Sequence, residues 1–132
     1  TIVPHPGAMI SEFPVEDGVV HFPGWDFFDD DDVADIDDET RRRTAQQVVD
    51  VPGRVPTSPI TLTDERRFAI PVTILSGQLD AESLHRVLAD WGAYAEEVDC
   101  IESVEVVTLD SGHWPQFSQP QKFAETLAAA VR

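Results

Sequence analysis

Two places in the chain carry residues whose types and spacing could do chemistry. Gly112-His113-Trp114 follows a short apolar run at residues 104–109, and Gly77-Gln78-Leu79-Asp80 follows an earlier one at residues 70–75. An imidazole can take a proton from a nucleophile near neutral pH, and a carboxylate bonded to its other nitrogen fixes the tautomer and stabilises the imidazolium. His113 is therefore a candidate general base and Asp80 its orienting acid. Asp110 lies nearer the histidine in sequence and is the alternative acid, while an aspartate after a strand is also a common helix N-cap. The plainer reading of His113 is a loop histidine at a strand end. No nucleophile accompanies either residue.

The elements around them are those of an α/β sheet. Ile70-Pro71-Val72-Thr73-Ile74-Leu75 is apolar and β-branched enough for a buried strand, with Pro71 at its start where no ladder donor is lost. Leu84, Val87, Leu88, Trp91 and Tyr94 recur at helical spacing, with Asp80 or Ser83 as N-cap and Gly92 as a weak point. Residues 104–109 form a second strand, and Phe123, Leu127, Ala130 and Val131 mark a closing amphipathic helix after Pro120. Two strands joined by a helix predict a parallel pair, and catalytic groups in open parallel sheets collect beyond the carboxyl ends of the strands. Asp80 and His113 both follow such an end. Two strands and two helices cannot cover a parallel sheet, so further strands are expected from elsewhere.

Up to about Arg67 the texture differs. Most of the ten prolines lie here, between short apolar stretches such as Val19-Val20-His21-Phe22 and the aromatic group Trp25, Phe27 and Phe28, which predicts short helices and loops. Asp29-Asp30-Asp31-Asp32, then Asp35, Asp37, Asp38 and Glu39, precede Arg41-Arg42-Arg43, a polarity that suits a helix dipole. A calcium loop is excluded because Val33 and Ala34 stand where an oxygen ligand and the turn glycine belong.

Composition narrows the partners. The formal charge of −16, from 25 acidic and 9 basic side chains, repels phosphate backbones and anionic lipid, so neither nucleic acid nor membrane is an expected partner. No apolar run is long enough for a spanning helix, and Cys100 stands alone, so a reducing, cytoplasmic setting is expected. His5, His21 and His85 have no partner at metal-ligand spacing, and neither a metal nor another cofactor is expected. The chain opens at Thr1 and enters Ile2-Val3-Pro4 directly, which is read as processing or a boundary; a threonine nucleophile using its own amine is the disfavoured alternative.

Residues 70–80, together with Asp110-Ser111-Gly112-His113-Trp114-Pro115-Gln116-Phe117-Ser118-Gln119-Pro120-Gln121-Lys122-Phe123, resemble the C-terminal part of an α/β-hydrolase fold protein, closest to the small esterase and hydroxynitrile lyase-like group. The resemblance implies that Asp80 is the acid after the penultimate core strand and His113 the base after the last. It implies the end of a core strand and the approach to a cap at residues 1–9, a mainly helical, proline-rich cap at 10–67, and the strand-helix-strand-helix end of the core at 68–132. It also implies that an N-terminal half must complete the sheet. That half would carry the G-x-S-x-G elbow and the HGGG-like oxyanion loop, since none of Ser11, Ser58, Ser76, Ser83, Ser103, Ser111 and Ser118 has flanking glycines.

The function so implied is cleavage of an ester, amide or related carboxylic acid derivative of a small molecule through an acyl-enzyme. His113 and Asp80 would form part of a Ser-His-Asp triad, and Trp114, Phe117 and Trp25 are the candidate pocket residues. A non-catalytic ligand-binding or receptor protein on the same fold is the alternative, and a lyase is a variant. Exposed sheet edges and aggregation are expected of the chain by itself, and a homo-oligomer is compatible with the reading.

Overall fold

The computed structural model describes residues 13–131. The strand end expected at residues 1–9, with Thr1 and His5, and the first residues of the cap, including Ser11, lie outside the described residues.

The first half contains a feature that proline density concealed. Strands β1 (Val15–Glu16), β2 (Val19–Val20) and β3 (Val51–Pro52) form a small antiparallel sheet in the order β1-β2-β3. Asp17 and Gly18 both have positive φ, 49° and 84°, the conformation that a two-residue hairpin turn requires and that Asp-Gly adopts readily. This pairs Val15 with Val20 and Glu16 with Val19. The expectation of helices and loops alone is corrected accordingly: the region is a three-stranded β-ribbon with short helices inserted between its second and third strands.

The acidic run also divides. A 3₁₀ turn at Trp25–Phe27 leads into α1 (Asp30–Val33), and α2 (Asp38–Ala45) begins separately. Asp37 ends the first segment in an extended conformation and accepts the Thr40 N–H at 2.7 Å, so it serves as an N-cap inside what reads as a continuous charge run. Arg41 secures the turn after α1, donating to the carbonyls of Ile36 and Val33. Residues 46–49 follow the end of α2, leaving Val48 and Val49 exposed.

Trp25, Val33 and Ile36 are buried together, with Phe22, Phe28, Trp114 and Phe117 packed against them. Trp25 meets Trp114 edge-on at a ring-centroid distance of 5.2 Å and Phe117 at 6.0 Å, and its indole N–H donates to the Arg41 carbonyl at 2.9 Å. This aromatic core is shared, since Trp114 and Phe117 come from the far end of the chain. It fixes the position of the first half over the loop that carries His113.

In the second half two strands alternate with pairs of helices. After a 3₁₀ turn at Glu65–Ala69 come β4 (Val72–Ser76), α3 (Ala81–Ala89), α4 (Ala93–Asp99), β5 (Val104–Thr108), α5 (Pro115–Ser118) and α6 (Pro120–Ala130). Strands β4 and β5 are parallel, in register from Val72 opposite Val104 to Ser76 opposite Thr108. The helix expected to continue through Tyr94 breaks at Gly92, whose φ of 52° and ψ of −114° end it after Ala89. Every residue of β4 is half-buried, whereas a strand inside a parallel sheet is covered on both faces. Both edges of the pair are open among the described residues.

Arg67 ties this half together by a bidentate pair with Glu97, at 2.6 and 3.0 Å, from the turn before β4 to α4. The guanidinium holds the Glu97 carboxyl below the ordinary glutamate range. Because the folded pKa is depressed, the pair's stabilisation is complete above the unfolded value of about 4.3 and is lost as pH falls through the folded one. The stability difference between the natural protein and Glu97→Gln, measured by urea unfolding, is therefore expected to be constant from neutral pH to about pH 5 and to shrink below it. A difference that grows on acidification would contradict the pairing.

Candidate active site

The two loops beyond the carboxyl ends of β4 and β5 lie side by side, joined to each other and to α6 by a set of hydrogen bonds. Leu109 N–H donates to the Ser76 carbonyl at 2.8 Å and Ser111 N–H to the Gly77 carbonyl at 3.0 Å, continuing the strand pairing into the loops. Ser76 Oγ accepts from Leu79 N–H at 2.9 Å, and Thr108 Oγ1 donates to the Leu79 carbonyl at 3.1 Å. From the start of α6, Lys122 Nζ donates to the Leu109 carbonyl, and from the residue before it, Gln119 Nε2 donates to the Asp110 carbonyl at 2.9 Å. The acid loop and the histidine loop are thus one hydrogen-bonded unit.

The first half of the chain holds the same loop from the other side. Gly112 N–H donates to Asp35 Oδ2 at 2.7 Å, and His113 N–H to the Asp32 carbonyl at 3.0 Å. Gly112 is buried beneath these groups, and a Cβ there would come within 2.4 Å of Asp35 Oδ1 and 2.5 Å of the Asp32 carbonyl oxygen. The backbone atom cannot yield without moving α1, so only glycine fits. On the reading of His113 as a general base, the expected result of Gly112→Ala is a displaced histidine loop and a loss of activity on the order of 10²-fold with substrate binding less affected, since misplacing a catalytic group by about 1 Å costs this much. Steady-state kinetics of the complete enzyme test it; an unchanged kcat would show that the contact does not position His113.

With its backbone fixed, the His113 side chain is exposed, its ring meeting Trp114 at a centroid distance of 4.7 Å. Asp80 N-caps α3, with Oδ1 accepting Ser83 N–H at 2.8 Å. Hydrogen bonds from Ser83, the backbone one foremost, hold the Asp80 carboxyl below the usual aspartate range, so it is ionised at neutral pH. The cap bond engages one oxygen of a carboxylate that has two. No hydrogen bond joins Asp80 to His113 among the described residues: the fold brings their loops together and leaves the two side chains apart. Asp110 has an αL backbone, φ 51°, and its carboxylate lies 3.8 Å from Lys122 Nζ rather than at the imidazole.

The three candidate pocket residues divide. Trp114 lines a cavity of about 300 Å³ between the ribbon and the aromatic core, together with Phe13, Val20, His21, Phe22 and Phe28. Trp25 and Phe117 do not line it; they pack behind Trp114 in the core. His21 bonds through Nδ1 to Asp50 at 2.8 Å. No group of three or more metal-binding side chains occurs among the described residues. No helix among them is long and apolar enough to cross a membrane.

Asp35 and Asp32 were not legible as site residues. They sit in a charge run whose ordinary explanation is a solvated helix start, and their partners lie far along the chain.

The model of the alpha/beta hydrolase family matches residues 2–126, almost the entire chain. The chain belongs to the alpha/beta hydrolase family. No curated protein and no solved structure matches it significantly. Members of the alpha/beta hydrolase family are generally hydrolytic enzymes, and the mixed helices and small parallel sheet agree with a partial α/β fold.

Proposed function

We propose that this alpha/beta hydrolase chain supplies the base, His113, and the acid, Asp80, of a Ser-His-Asp triad that cleaves an ester, amide or related carboxylic acid derivative of a small molecule through an acyl-enzyme. The observation that carries the reading is the bonded unit formed by the two loops at the carboxyl ends of β4 and β5, where a parallel sheet gathers its catalytic groups. The serine and the oxyanion-hole donors belong to an N-terminal half that adds strands to the open edges of the β4–β5 pair. Half-buried core strands and exposed Ile70, Val104 and Leu127 support that half, since apolar residues of a finished parallel sheet are covered. Docking of those strands beside the two loops brings the nucleophile to His113 and gives the imidazole a proton to accept.

In the chemical cycle His113 takes the serine proton as the oxygen attacks the carbonyl carbon, then returns it to the leaving alcohol or amine. Water repeats the sequence on the acyl-enzyme. Asp80 steers the imidazole and stabilises its positive charge, a task that requires a carboxylate oxygen to face the ring Nδ1–H. Incubating the complete enzyme with p-nitrophenyl acetate is expected to give a burst of nitrophenol stoichiometric with enzyme, followed by slower turnover. Neither burst nor turnover with any carboxylic ester would overturn the proposal.

The bond from Asp80 to Ser83, with no bond to His113, is the observation that favours the second reading, a binding or receptor protein on the same fold. There the aspartate is a helix cap and nothing more. Ligand binding without a burst distinguishes it.

A further inference from the structure

We infer that the cavity beside Trp114 receives a bulky, uncharged hydrocarbon acyl group, so that the substrates are esters of apolar acids longer than acetate. The inference rests on His113 being the base, because it places the acyl group by reference to that residue. Trp114 makes the link: one of its ring contacts is to the His113 imidazole, and the ring is also a wall of the cavity. For a carbonyl held at His113, the indole is an adjoining apolar surface, and the cavity it lines is the apolar space next to it.

The walls state what that substituent is. Val20, Phe22, Phe28, Val48, Val51 and Pro56 line the space with Trp114, and among the described residues no lysine or arginine lines it. Its volume of about 300 Å³ is at the lower end of small-molecule sites, more than an acetyl group fills. The polar side chain on the wall, His21, is already bonded to Asp50. A second carboxylate on the acyl chain would give up part of its hydration against these apolar walls, near Asp50 and within a chain of net charge −16. A hydrocarbon chain has no such cost and gains about 0.8 kcal/mol per methylene buried, a fourfold increase each.

The test is kcat/KM of the complete enzyme for p-nitrophenyl acetate, butyrate and hexanoate, and for the p-nitrophenyl monoester of adipic acid, which has the length of hexanoate and a terminal carboxylate. The expected result is a rise of about fourfold per methylene from acetate to hexanoate, on the order of 10²-fold in all, with the adipate ester no better than acetate. Val48→Glu, at a half-exposed wall position whose substitution leaves the core untouched, is expected to collapse the hexanoate-to-acetate ratio, with circular dichroism reporting the fold. Acetate turnover with no dependence on chain length would overturn the cavity assignment and leave the hydrolase reading standing. Absence of any burst or turnover, acetate included, would overturn the hydrolase reading and this inference with it.

Discussion

Replacing His113 by alanine in the complete enzyme is expected to lower kcat for ester hydrolysis by about 10⁴- to 10⁶-fold and to abolish the nitrophenol burst. The size follows from the role. Without the imidazole the serine must lose its proton to water, and the leaving group must depart without a proton donor. The fold should not suffer, because the side chain is exposed and the contacts that hold the loop are made by the backbone of residues 109–113, which alanine keeps. Thermal unfolding close to that of the natural protein, together with lost turnover, separates catalysis from structure. A His113→Ala enzyme within tenfold of the natural rate would remove the base from the mechanism.

The second large effect is expected at Asp80, where two roles can be separated by choice of substitution. Asparagine caps a helix about as well as aspartate, so Asp80→Asn should leave α3 and the unfolding midpoint unchanged. It should nonetheless lower kcat by about 10⁴-fold, because the amide cannot stabilise the imidazolium and favours the wrong tautomer. Asp80→Ala should lose the same activity and lower the midpoint as well, since the Ser83 N–H loses its acceptor. If Asp80 is a cap alone, the asparagine variant keeps full activity and the alanine variant fails only in stability. Asp110→Asn, whose carboxylate faces Lys122, is expected to change kcat by less than about tenfold.

What could be read from the sequence depended on whether its physical cause was local. The parallel pair announced itself through β-branched runs and a helix-period segment between them, and the break at Gly92 and the cap at Asp80 follow from single-residue chemistry. The ribbon was missed because its strands are two residues long, too short for alternation to register. Its real signal was Asp17-Gly18 between valines, a turn dipeptide hidden by the surrounding prolines. The division of the acidic run at Asp37 had the same character, since N-cap and first-turn aspartates are indistinguishable by charge alone.

The site was legible in its residue types and not in its supports. His113 and Asp80 carry recognisable neighbours, whereas the bonds from Asp32 and Asp35 to the histidine loop join residues with no local pattern in common. Gly112 is the one support with a sequence mark. It was read as part of a motif, and its physical reason is the carbonyl and carboxylate pressed against its Cα. Trp114 likewise was visible as an aromatic residue beside the candidate base, but its double use, in the core with Trp25 and on the wall of a cavity, is a property of the packing.

The central claim is that His113 and Asp80 act on a nucleophile carried by another part of the enzyme. It is tested most directly by labelling the complete enzyme with a serine-reactive fluorophosphonate and locating the modified residue by mass spectrometry. The account predicts one labelled serine, in a glycine-flanked peptide that does not occur in residues 1–132, with labelling lost in His113→Ala. A label on any serine of these 132 residues, or labelling that survives His113→Ala, would contradict it.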